Sequence, residues 1–246
     1  MPHRFVQKLL SFAPLEEAEI IAIRTATKNV RKVPARTDLI REGDRPGSVI
    51  VMIEGWAFRY KILPNGARQV IAFLMPGDAC DLHVGTLAEM DHGIRTATAA
   101  KVATIEPADM SRIMTQHPGI TRAMYAALLA DEGISRAWIV SMGRRNSLER
   151  VAHLICELYV RANSLNTTSN TSVDIPLAQS LLADALGMTT VHINRVLNQL
   201  KQAGALNLNR GNILVVDYPK LARVAGFNDG YLRQKVRHGR LESSLG

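Results

Sequence analysis

Three groups of side chains have the types and spacing to do chemistry. The first lies in "ADALGMTTVHINRVLNQL", residues 183–200. If Gly187 turns between two short helices and Thr189 caps the second, helical spacing gathers Thr189, Thr190, Val191, Asn194, Arg195 and Asn198 on one face, with Lys201 one turn beyond. That face carries hydrogen-bonding groups and a guanidinium but no carboxylate, which suits the base edges and phosphates of a DNA major groove. A helical hairpin with a solvated polar face is the plainer alternative. The second group is Cys80, Asp81, His83 and His92. Cys-x-x-His with a later histidine can ligate a metal or haem, and Cys80 alone can serve as a redox thiol. A partly buried cysteine beside two loop histidines explains the same residues. The third is Arg95-Thr96, a charge and a hydroxyl that could grip a phosphate or simply form a strand-edge ion pair.

The surroundings favour a polyanionic partner for the first group. Net charge is +8, and from Arg144 onward 13 Lys and Arg stand against 7 Asp and Glu. Directly after the helix pair, Gly204 ends the helix and two short strands flank Asn209-Arg210-Gly211-Asn212. These form a wing whose Arg210 and Asn212 would meet phosphates. With Cys80 and Cys156 the only cysteines, a disulfide framework, a four-cysteine zinc site and an all-cysteine iron–sulfur cluster are set aside. No run approaches the roughly 18 apolar residues of a membrane span, so a cytoplasmic protein with no membrane partner is expected.

The elements that must position these groups follow from periodicity. Residues 5–27 read as helix with a break at Pro14. From about Val30 to Glu106 the pattern alternates and glycines recur as in an all-β barrel or roll; Pro64-Asn65-Gly66 predicts a hairpin turn into "RQVIAFLM". After Pro107 the period lengthens. A long helix between His117 and Gly143 carries Ile120, Met124, Ala127, Ile134 and Trp138 near heptad a/d places, a stripe suited to core or to a helix–helix seam. Asn146-Ser147-Leu148-Glu149 is a capping-box signature that starts the next helix, running to about Ala162, before the polar loop 163–172 and a brief extended "VDIPL". The expected division is 1–116, a β-roll with N-terminal helices; 117–145, the long helix and hinge; 146–225, a winged helix-turn-helix; and 226–246, a basic extension with Arg233, Lys235, Arg237, His238 and Arg240. The fold class is α+β.

A β-roll containing "REGD" and "MPGD", a long helix, a hinge and a winged helix-turn-helix ending in "LNRGNILVVDYPKL" resembles the Crp/Fnr family of bacterial transcription regulators, over about residues 15–225. The resemblance implies a homodimer joined along the long helix through Ile120, Met124, Ala127, Ile134 and Trp138. It further implies an effector-sensing roll, recognition helices (189–202) on double-stranded DNA with a palindromic operator, and RNA polymerase as a partner. Thr190, Val191 and Arg195 occupy the family's base-reading places. Arg195 matches a guanine-reading arginine, whereas Val191 departs from the common glutamate and is expected to pack on a thymine methyl. A cyclic-nucleotide site would draw on Asp81, Leu82, Arg95, Thr96 and Ser135. The family's phosphate glutamate is missing here, because Asp81 or Leu82 stands in its place, and Arg136 replaces the second hydroxyl residue of the long helix. Cyclic nucleotide and haem thus stay open as cofactors without either being specified, and a metal has only the weak candidates Cys80, His83 and His92. A β-roll metalloenzyme and a nucleotide-sensing module with a protein-binding C-terminal domain are the competing classes. The first lacks a His-x-His set, and the second does not explain the basic charge.

Overall fold

The structure is a computed structural model that describes residues 3–45, 47–80, 88–164, 174–209 and 212–232. Two helices open the chain, α1 (Arg4–Leu10) and α2 (Glu17–Ala26). A reciprocal capping box between Glu16 and Glu19 starts α2. Glu19 also accepts from the backbone amides of Gly119 and Ile120 at 2.7 and 3.3 Å. Those amides begin the long helix, where a Cβ on Gly119 would collide with the Glu19 carboxylate.

Eight strands follow among the described residues: β1 (Val30–Val33), β2 (Asp38–Ile40), β3 (Val49–Glu54), β4 (Ala57–Ile62), β5 (Arg68–Leu74), β6 (Ala79–Cys80), β7 (Gly93–Thr96) and β8 (Ala100–Ile105). They form two antiparallel sheets, in the orders β1-β8-β3-β6 and β2-β7-β4-β5. The hairpin read at Asn65-Gly66 joins β4 to β5, with Gly66 at φ +80 and the Asn65 side chain accepting from the Ala67 amide. Inward-facing Ile50, Met52, Leu74, Ile94 and Val102 pack between the sheets.

Helix α3 (Pro107–Gln116) leads into α4 (Pro118–Arg144), and α5 (Ser147–Ser164) starts at the predicted box: Asn146 Oδ1 accepts from the Glu149 amide and Glu149 accepts from the Asn146 amide. Beyond come β9 (Asp174–Ile175), α6 (Gln179–Leu186), α7 (Thr190–Gln202), β10 (Leu206–Asn209), β11 (Asn212–Val215), α8 (Tyr218–Ala225) and a 3-10 turn, Gly230–Leu232. Among the described residues, no helix is long and apolar enough to cross a membrane.

The stripe chosen for the dimer seam requires correction. Ile120 and Met124 are buried against α1, α2 and the outer face of β3 and β8, Ile134 is buried in the C-terminal core, and Ala127 is partly buried. Trp138 is also partly buried: its indole N–H donates to Glu157 Oε2 at 3.0 Å and its ring meets Phe73. These residues serve their own chain. The open apolar stripe of α4 lies one position further on, at Tyr125, Leu128, Leu129, Ile139 and Val140. Both stripes are apolar with helical spacing, and the packing of the N-terminal helices, the roll and α5 decides which one faces inward.

The roll and the C-terminal unit share an interior. Trp56, Phe58, Val70 and Phe73 of the roll belong to the same hydrophobic cluster as α5, α6 and α7. Arg68 on β5 grips Asp184 on α6 through Nε and Nη2, at 2.8 and 2.6 Å. Gln69 donates to the Ala185 carbonyl.

Candidate nucleic-acid interface

Helices α6 and α7 meet through Leu182, Ala183, Leu186, Ile193, Val196, Leu197 and Leu200, all nearly or fully buried. Gly187 closes α6 in the left-handed region at φ +61, and its amide reaches back to the Ala183 carbonyl. Thr189 then caps α7, its side chain accepting from the His192 amide at 3.2 Å. The turn glycine and the cap sit where the spacing places them, and they fix which side of α7 faces outward.

That outward side carries Thr189, Thr190, Val191, Asn194, Arg195, Asn198 and Lys201, all exposed, with Val191 at 72 %. Among the described residues no ion pair engages the Arg195 guanidinium. The amides are ordered: Asn198 donates to Asn194 Oδ1 at 2.8 Å, and Asn194 donates to Gln179 Oε1 at 3.0 Å. Gln179, in the first turn of α6, was missed in sequence because it stands fifteen residues from its partner. The ladder ties both asparagines to Gln179 and leaves the Asn198 oxygen to accept and the Gln179 amide to donate elsewhere.

The wing pairs β10 with β11, Leu206 opposite Val215 and Asn209 opposite Asn212, and β11 also pairs with β9. Asn212 was expected to meet phosphates. Its side-chain amide donates one N–H to Asp174 Oδ2 at 2.7 Å, which ties it to the partner strand and leaves the second N–H. Arg210 lies outside the described residues.

Among the described residues, Arg95 and Thr96 do not converge with Ser135. Arg95 is held by Asp38 through two hydrogen bonds, at 2.6 and 2.8 Å, and the Tyr60 hydroxyl donates to the same carboxylate. The Arg95 guanidinium holds the Asp38 carboxyl below the ordinary carboxylate range. Thr96 is fully buried, donating to the Pro34 carbonyl and accepting from the Thr37 amide. The pair is therefore spent on contacts between β7 and the segment 34–38. Asp81, Leu82 and His83 lie outside the described residues. Cys80 is fully buried, and His92 is buried with its Nδ1 2.6 Å from Asp91. Among the described residues, no group of three His, Cys, Asp or Glu is placed to hold a metal.

A cavity of about 530 Å³ does open between the roll and α4, and Ser135 lines it with Lys8, Leu9, Arg59, Asp78 and Met124. The Ser135 hydroxyl donates to the Asp131 carbonyl. One wall leads into the protein: Asp78 pairs with Lys8 at 3.0 Å and with Arg161 of α5 at 3.0 Å. Burial pushes the Asp78 carboxyl up, yet Lys8 and Arg161 outweigh it and hold it below the ordinary range. Arg161 also donates to Glu157, whose other oxygen accepts from Trp138 and Tyr231. A chain of buried charges thus runs from the cavity wall to the C-terminal unit.

Both halves match known families. Residues 149–224 match the family model of the Crp-like helix-turn-helix domain, and residues 30–117 match that of the cyclic nucleotide-binding domain. The chain belongs to the Crp/Fnr family. Among curated relatives of this Crp/Fnr regulator, a probable transcriptional activator of Rhizobium leguminosarum bv. viciae is 25% identical over 197 residues, covering 79% of this chain and 80% of its own. The nitrogen fixation regulation protein FixK of Bradyrhizobium diazoefficiens is 27% identical over 184 residues, covering 75% and 76%. The structure of FixK2 from Bradyrhizobium japonicum superimposes with a TM-score of 0.71 at 19% identity, over 81% of this chain and 98% of that one. The β-roll and helix-turn-helix expected from the sequence are thus the Crp/Fnr fold, and the curated relatives are regulators rather than enzymes.

Proposed function

We propose that this Crp/Fnr protein acts as a homodimeric transcription regulator whose two α7 helices read the half-sites of a palindromic operator. The observation that carries the reading is the outward face of α7: exposed, free of acid, held rigidly by the Gly187 turn and the Thr189 cap. Arg195 is assigned to guanine O6 and N7, Val191 to a thymine methyl, and Thr190, Asn194 and Asn198 to neighbouring edges, with Thr189, Lys201 and Arg210 on phosphates.

Dimerisation is assigned to the open stripe of α4. Tyr125, Leu128, Leu129 and Ile139 are 40 to 71 % exposed, an unusual run for one helix face in water, and their spacing suits a helix–helix seam. The effector is assigned to the cavity beside Ser135, whose Asp78 wall reaches α5 through Arg161. The commitment of Arg95 to Asp38 weighs against a cyclic phosphate there. RNA polymerase is the expected protein partner on the DNA.

Selection of binding sites from a random duplex pool, with wild type beside Arg195→Ala, tests the reading. A two-fold palindrome with half-site centres about 10 to 10.5 bp apart is expected, with one guanine per half-site relaxed in the variant. No enrichment, with purified protein and again in cell extract, overturns it.

A further inference from the structure

A second cavity, of about 490 Å³, lies between α4 and the segment that follows α8. Arg136, Arg145 and His153 line it together with Gly226, Asn228 and Tyr231, and among the described residues no Asp or Glu does. Arg136 has Glu132 as its counter-ion one turn away. Arg145 has none among the described residues: its Nη1 is withdrawn from water and meets no acceptor. That nitrogen is closed off from the groove, so an anion there meets the rest of the Arg145 guanidinium, and its charge offsets the cost of holding the cation partly out of water. His153 adds no positive charge of its own, since burial and the neighbouring Arg145 bring its pKa down to about 4.

The described walls of the groove are held in place. Tyr231 stacks on His153, its hydroxyl donates to Glu157, and its backbone sits on Gly133, where a Cβ would come within 2.8 Å of the Tyr231 carbonyl oxygen. Gly226, in the left-handed region at φ +54, contributes no side chain, and Asn228 accepts from the Gly230 amide, leaving its own amide N–H groups to donate.

We propose that this groove binds the phosphoryl group of a small phosphorylated molecule, with the Arg145 fork as its main contact and Arg136 as a second charge. Arg145 supplies the charge that no carboxylate offsets among the described residues, Arg136 adds a guanidinium shared with Glu132, and the volume exceeds a bare ion, leaving room for the body of the molecule. The site straddles the α4–α5 junction, so an occupant touches both the long helix and the C-terminal unit. This inference does not depend on the operator reading.

Calorimetric titration of the full chain with inorganic phosphate and with glycerol phosphate, at constant ionic strength in chloride, tests it. Saturable binding with a Kd of about 1 mM or tighter is expected, weakened about tenfold or more in R145Q and less in R136Q. Tighter binding of the ester assigns a phosphorylated metabolite, and equal binding assigns free phosphate. In parallel, the His153 imidazole followed by NMR should titrate at higher pH when phosphate is present, because the anion offsets Arg145. R145K, which keeps the charge but loses the fork, replaces R145Q if that variant fails to fold. No saturable binding, or equal binding by wild type and the Arg145 variant, overturns the proposal.

Discussion

Asp78 at the end of the "MPGD" turn and Arg161 on α5 form an ion pair at 3.0 Å although 83 residues separate them. Asp78 also accepts from the Met75 amide, and Arg161 also donates to the Phe73 carbonyl, so each charge is hydrogen-bonded as well as paired. The pair holds the C-terminal unit against the roll at the wall of the cavity. Loss of Arg161 leaves Asp78 with Lys8, and loss of Asp78 leaves Arg161 with Glu157, so each buried charge is then only partly compensated.

Asp78→Asn and Arg161→Met should each lower unfolding stability, by less than the roughly 3–5 kcal/mol of a fully uncompensated buried charge because Lys8 and Glu157 remain, and the double variant should recover part of that loss. Urea denaturation followed by circular dichroism measures it. Additive losses would mean that the two residues act separately.

The same carboxylate sets a pH dependence. The folded pKa of Asp78 is lowered, so its contribution is fully present above the unfolded value of about 3.9 and fades as pH falls through the still lower folded value. Burial raises Glu157 and works in the opposite sense, so the comparison is best made between wild type and Asp78→Asn. Their stability difference should be constant near neutrality and shrink below about pH 4.

At the DNA face, Arg195→Ala should cost about 1–3 kcal/mol of specific binding and relax discrimination at one guanine. Val191→Glu should move the preferred base at its own step toward one that pairs with a cytosine-reading carboxylate. Competition binding at fixed salt reads both, and an unchanged base preference in Val191→Glu would remove Val191 from the readout.

Ile139→Glu, on the open stripe of α4, should convert a dimer to a monomer in sedimentation equilibrium while the circular dichroism spectrum is retained. Ile139 is 71 % exposed, so the change leaves the chain's own core untouched. A dimer that survives the substitution would place the seam elsewhere.

Both cysteines are fully buried, and burial pushes the Cys156 thiol up to about 12. A thiol-specific chromogenic reagent should therefore react slowly with the native protein and promptly with two thiols after denaturation. Fast reaction of one thiol in the native state would revive Cys80 as a redox group.

Local chemistry made much of this molecule legible. Gly187 and Thr189 marked the turn and the cap because left-handed backbone and a side-chain acceptor are needed at those points whatever surrounds them. Asn65-Gly66 marked the hairpin and Asn146 with Glu149 the start of α5 for the same reason. Those signals, with the periods of strand and helix, determined the order of parts and the outward face of α7. Pairings between distant positions were not legible. Arg95 could have faced a ligand or Asp38, Asn212 a phosphate or Asp174, and Asn194 solvent or Gln179; each choice depends on which strands and helices lie side by side. Likewise α4 carries two apolar stripes one residue apart, and periodicity is blind to which of them other elements cover. The sequence alone determined the fold and the reading face, because these rest on short-range backbone demands. Tertiary structure alone decided the inward stripe of α4, the partners of the charged side chains and the shape of the two cavities, because these rest on contacts across scores of residues.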